Sequence, residues 1–129
     1  MEEPNSSGSP GKGLGPTGAR IFSRRMLGDA GAAGTGKGSW VGIEALKEKT
    51  FFLHTVDQAL ALGTPTVLVH GAMELDPVDP DANTDVALLA TLNAAGPFAA
   101  IDSVWRFVRV EVTGAGTNPI QVGMTGLGL

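Results

Sequence analysis

One run of nine residues, Val104-Trp105-Arg106-Phe107-Val108-Arg109-Val110-Glu111-Val112, limits the choice of fold more than any other stretch. Val108, Val110 and Val112 alternate with Arg109 and Glu111, a period of two that suits a strand with one dry and one wet face. The turn-rich Thr113–Pro119 segment follows it. Ile120, Val122 and Met124 then alternate with Gln121, Gly123 and Thr125. These two runs are expected to pair antiparallel. Thr50–Val56 and Thr66–His70 are further β-branched or aromatic runs bounded by glycine or proline. Val86–Leu92 suits a buried strand or a short helix, and its length and the Gly96-Pro97 stop favour the strand. Asp57–Leu62 reads as a single helical turn. Short strands between glycine and proline turns predict an all-β fold, an antiparallel β-sandwich of jelly-roll or Ig-like type. Its expected core includes Val67, Val69, Val108, Val110, Val112, Ile120 and Val122.

Charge and glycine divide the chain near residue 40. Residues 1–40 hold ten of the 19 glycines and are net +2, whereas residues 41–129 are net −6. The glycine-rich part has few large apolar side chains to offset an ordering cost of about 1–2 kcal/mol per residue. It is therefore expected to be an extended arm, residues 1–39, ordered only on assembly, ahead of a sandwich body, residues 40–129. Ile21, Phe22, Met26 and Leu27 would anchor the arm on a partner, with Arg20, Arg24 and Arg25 meeting acidic rims. Removing the arm should leave a folded body.

The 129 residues leave room for one domain. With no cysteine in the chain, disulfides, thiolate metal sites and a thiol nucleophile are excluded. Apolar runs are too short to cross a membrane as helices, and the acidic, polar start does not read as a signal peptide. The net charge of −4 argues against general nucleic-acid binding.

Motifs for chemistry are sparse. Gly31-Ala32-Ala33-Gly34-Thr35-Gly36-Lys37 matches the start of a phosphate-binding loop, but Gly38 stands where a Ser or Thr should ligate magnesium. Gly13-Leu14-Gly15-Pro16-Thr17-Gly18 fits a dinucleotide pattern without a preceding strand. Both read as flexible chain. Asp79, Asp81, Asn83 and Asp85 place oxygens at alternate positions, as a calcium loop does, but Ala90 stands where a closing glutamate belongs. They are a weak calcium candidate beside the reading of a solvated acidic turn, and no other cofactor is expected. His54 and His70 sit in strands without a positioned acid and read as packed side chains. Trp105, Phe107 and Arg109 share a strand face, where core packing is favoured over a sugar platform. No nucleophile elbow or catalytic carboxylate pair can be assembled, so the chain is not expected to be an enzyme.

Four segments carry a family likeness: Thr66-Val67-Leu68-Val69-His70-Gly71, Leu88-Leu89-Ala90-Thr91-Leu92, Trp105 to Thr113, and Asn118-Pro119-Ile120-Gln121-Val122. In order and pattern they resemble small β-sandwich structural proteins encoded by tailed bacteriophages. That family often has a Ser-Asp-Gly hairpin after its first strand, where this chain has Met73 to Asp81. The resemblance implies a virion component made in the host cytoplasm: a head decoration (cement) protein, a head-fibre protein or a neck or tail module. It implies partners among the major capsid protein and other virion proteins, and a homo-oligomer such as a trimer, with neither nucleic acid nor membrane bound. The alternative is a carbohydrate- or receptor-binding sandwich of a phage fibre or tail.

Overall fold

The computed structural model describes residues 13–14, 20–44 and 46–128. Among the described residues ten strands follow in chain order: β1 (Gly13–Leu14), β2 (Arg20–Arg25), β3 (Gly36–Lys37), β4 (Val41–Gly42), β5 (Leu46–Thr55), β6 (Thr66–Ala72), β7 (Ala87–Asn93), β8 (Phe98–Ile101), β9 (Phe107–Gly114) and β10 (Ile120–Gly128). One short 3-10 turn, Pro80–Ala82, interrupts the loop between β6 and β7. The first sheet runs β1-β2-β10-β5-β8 and the second β3-β9-β6-β7, with β4 also on β9. All pairs are antiparallel. The two sheets pack face to face as a β-sandwich.

Alternation explains the packing. Phe51 and Leu53 of β5 and Val122 and Met124 of β10 point inward from the first sheet. Val67 and Val69 of β6, Leu92 of β7 and Val108, Val110 and Val112 of β9 meet them from the second. All seven expected core residues are buried. A fully buried Val or Leu side chain contributes about 1.5–3 kcal/mol, so this interior is the main source of stability. The ambiguous Val86–Leu92 segment is a strand, β7. Asp57–Leu62 closes as a turn, with Leu60 N–H donating to Asp57 O at 2.9 Å.

One expectation fails. The runs now called β9 and β10 do not pair with each other; β9 lies between β6 and the β3–β4 edge, whereas β10 lies between β2 and β5. The Ala115–Pro119 link carries the chain from one sheet to the other, a step of about 10 Å. Periodicity fixes which face of a strand is buried and leaves its neighbour open.

Residues on both sides of position 39 take part in the two sheets. Arg20–Arg25 extends the first sheet by pairing along five residues of β10, and Met26 is 3% exposed within the core. Ala32 then bridges to Ile120 of the first sheet, and Gly36–Lys37 pairs with Val112 and Glu111 of the second. The phosphate-loop-like glycine run is thus a crossing between sheets. At Gly38, whose N–H donates to Val110 O at 2.8 Å, an added Cβ would lie 2.6 Å from Met26 O. Glycine is required there by close approach as well as tolerated as a linker residue. Residues 1–12 and 15–19 of the expected arm lie outside the described residues.

Candidate functional site

β2 lies near one rim of the sandwich, and the chain beyond it folds back along β10. Met26 N–H donates to Val122 O at 2.8 Å, and Ala32 and Ile120 exchange two backbone bonds of 2.8 Å. Between them Gln121 acts as a clip. Its Oε1 accepts from Leu27 N–H at 3.1 Å and Val122 N–H at 3.0 Å, and its Nε2 donates to Gly28 O. Alternation predicted Gln121 on a wet face; instead the 26–28 segment covers it and it is buried.

A groove of about 860 Å³ follows this rim, bounded by β2, the 26–29 turn and the Lys37–Val41 segment. It reaches Phe52, His54 and Gly123 on the outer side of the first sheet. The Phe52 ring occupies the space a Cβ at Gly123 would take, and stacks on His54 with centroids 5.8 Å apart. His54 Nδ1 lies 2.8 Å from Thr55 O. Phe22, Met26 and Leu27 give the groove an apolar lining, and Arg24, Arg25 and Lys37 give it three cations against one acid, Asp29.

Arg25 Nη1 donates to Asp29 O at 3.3 Å and sits 4.0 Å from its carboxylate. That exposed pair is worth no more than about 1 kcal/mol and leaves the guanidinium open to another acid. Among the described residues, no carboxylate lies within 4.0 Å of Arg24 or Lys37. Arg24 is paired opposite the buried Met124, yet it is exposed. Five of the seven expected contact residues, Phe22, Arg24, Arg25, Met26 and Leu27, thus line one groove. Ile21 is exposed, and Arg20 begins β2 opposite Leu14. The buried Met26 acts as floor, not as a projecting anchor.

The acidic turn is built differently. Asp76 Oδ1 accepts from Val78 N–H at 2.9 Å and Asp79 N–H at 3.1 Å, and these bonds hold its carboxyl below the usual range. An Asp79 carboxylate oxygen accepts from Asp81 N–H at 3.0 Å. Asn83 accepts from Asp76 N–H and donates to Glu74 O, both at 3.1 Å. Asp81 pairs with Arg109 at 2.8 Å, and Asp85 is exposed. The candidate calcium oxygens of Asp79, Asp81 and Asn83 are therefore engaged in closing the turn. Among the described residues no three His, Asp or Glu side chains converge as a metal site.

Arg109 reveals a cluster the sequence did not suggest. It is 4% exposed on the outer side of β9, with its guanidinium 4.7 Å from the Trp40 ring centroid, while Trp40 Nε1 donates to Pro80 O at 3.1 Å. Together they pin the acidic turn to the second sheet. Trp105 instead packs against the core beside Gly71, with its Nε1 donating to Ser103 Oγ at 2.8 Å. His70 pairs across from Arg109. Burial lowers its pKa first, Glu111 raises it, and Arg109 and Lys37 lower it further. His54 and His70 stand in different sheets.

No protein-family model matches the chain, and no curated protein does. Among solved structures, it is similar to the SPBc2 prophage-derived protein YomS, with a TM-score of 0.57 and 11% sequence identity. The match covers 84% of this chain and 94% of that one. At this identity the two share a fold, a two-sheet β-sandwich.

Proposed function

We propose that the chain is a non-enzymatic structural protein of a phage particle, and specifically a head decoration protein that docks through the β2 groove. The observation that carries the reading is the fold likeness to a prophage-derived protein over most of both chains. The groove supplies a means of attachment. Three cations above an apolar floor fit an extended acidic segment bearing one or two large apolar side chains, as a surface loop of a major head protein would offer. Many copies bound to one lattice would gain from multivalency, so each contact need not be strong.

The test is quantitative mass spectrometry of purified particles, followed by re-addition of the protein to particles lacking it. A copy number comparable with the major head protein, and saturable re-binding weakened by charge reversal at Arg24 and Arg25, is expected. Absence from particles overturns the virion reading. A few copies confined to tails overturns the decoration reading alone. A carbohydrate- or receptor-binding role in a fibre or tail draws support from Phe98, which is 70% exposed opposite Phe52 on the outer side of the first sheet. Aromatic faces of this kind stack on sugar rings. Glycan binding lost in Phe98→Ala would favour that role.

A further inference from the structure

We propose that the free edge of β7 is a self-association edge, along which a second copy of this chain pairs antiparallel and continues the second sheet across a two-fold axis. This inference is independent of the virion reading. Among the described residues, β7 ends the β3-β9-β6-β7 sheet and pairs with β6 alone. In such a strand every second N–H and C=O points away from its neighbour. Among the described residues, no backbone group bonds the outer side of Ala87–Leu92.

Natural edges are usually guarded by charge, proline, short length, a bulge or a covering segment, and of these β7 has only a bulge at its start. The other rims carry such guards: β8 is four residues between Pro97 and Asp102, β3 and β4 are two residues each and β3 ends on Lys37, and β2 carries Arg24 and Arg25. β7 has seven residues, Ala-Leu-Leu-Ala-Thr-Leu-Asn, with no charge and no proline. Its Leu88 is 58% exposed, and Val86 just before it is also exposed. A register shift opposite Val69 and His70 bends the strand at Leu88–Ala90, leaving Ala90–Asn93 in regular pairing.

Self-complementarity argues for a second copy as the occupant, and charge placement sets its direction. The chain is net −4, and β7 carries no charge, so two copies can meet along β7 without bringing like charges together. Asp85 flanks β7 at its start, and the uncharged Ala94–Pro97 turn follows its end. Parallel self-pairing would set the two Asp85 carboxylates side by side. Antiparallel pairing of Ala87–Asn93 with its copy sets Asp85 opposite Ala95, so the two carboxylates stand about ten residues apart, roughly 34 Å at 3.4 Å per residue, well beyond the ~8 Å Debye length at physiological salt. It also closes, because each copy offers the other the same row of donors and acceptors in reverse.

The experiment is sedimentation equilibrium of the full chain beside Leu88→Lys/Thr91→Lys, two exposed positions whose change leaves the core intact. Melting curves verify that the variant is folded. A wild-type dimer whose dissociation constant rises about tenfold or more in the variant is expected. Nitroxide labels at Thr91→Cys, in a chain with no other cysteine, should lie closer together across the dimer than labels at Asp85→Cys. A wild type that stays monomeric at about 1 mM, where even a weak interface would be half occupied, overturns the proposal. So does a dimer unaffected by the two lysines, or one in which the Asp85 labels are the closer pair.

Discussion

The two rims of this sandwich solve the same problem in opposite ways. At the β2 rim the chain turns back on itself, Gln121 clips the returning segment, and Arg24, Arg25 and Lys37 surround what remains open. At the β7 rim the strand ends the sheet with seven uncharged residues and an exposed leucine. An exposed strand edge seeks another strand without regard to sequence, whereas a charged groove admits only partners of opposite sign. The molecule thus presents one selective surface and one backbone surface.

The largest effect should erase both rims together. Val110 is fully buried at the centre of β9, so Val110→Asp places an unpaired carboxylate in the core at a cost of several kcal/mol, comparable with the stability of a small domain. Loss of the native circular-dichroism signal is expected; wild-type melting would remove β9 from the core. Deleting residues 1–39 should come next. It strips β2 from β10, removes Met26 and takes away β3, so the remainder should lose its cooperative melt. A cooperatively folding 40–129 fragment would support the boundary read from composition.

Gln121→Leu separates the rims. It leaves Leu27 N–H and Gly28 O without their side-chain partner, and should cost about 1–3 kcal/mol. Hydrogen exchange should rise at residues 26–32 and stay unchanged along β6 and β7. Uniform loss of protection would mean that the clip supports the whole sandwich. Arg24→Glu with Arg25→Glu should change stability by no more than about 0.5 kcal/mol, since both side chains are exposed. Any loss of attachment to particles should be greatest at low salt, where screening is least. Attachment insensitive to salt would move the contact away from the groove.

The smallest effect concerns His70 of β6, which pairs with Leu88 of the bare rim. Its folded-state pKa is lowered from 6.5, chiefly by burial. The unfolded chain therefore takes up this proton first as pH falls. Stability is full above pH 6.5 and declines below it, toward the lowered folded value. His70→Asn should flatten that part of the curve. An unchanged acid slope would assign it to carboxylates elsewhere.

Strand identity was legible where alternation was strong. Val108, Val110 and Val112, and Ile120, Val122 and Met124, are buried as their period requires. The apolar and basic residues of 22–27 stood out by composition, and most of them line the groove. Their setting was hidden. The entropy of a glycine-rich segment describes that segment alone, whereas β10 offers it a ladder of backbone bonds and sheet crossings that need glycine. The Trp40–Arg109–Asp81 cluster was hidden for a similar reason. Its members come from three distant segments, and nothing in the spacing of any one signals the others.

The sequence by itself determined that the chain is built of short strands, which faces of the strongest strands are dry, and that catalytic motifs are sparse. These are consequences of local periodicity and residue chemistry. The tertiary structure alone decided that β9 and β10 belong to opposite sheets, that β2 closes one rim, and that Gln121 is buried. The physical reason lies in the range of the interactions. The bond from Leu27 to Gln121 joins residues 94 positions apart, and its energy depends on a meeting that neither residue's neighbours encode.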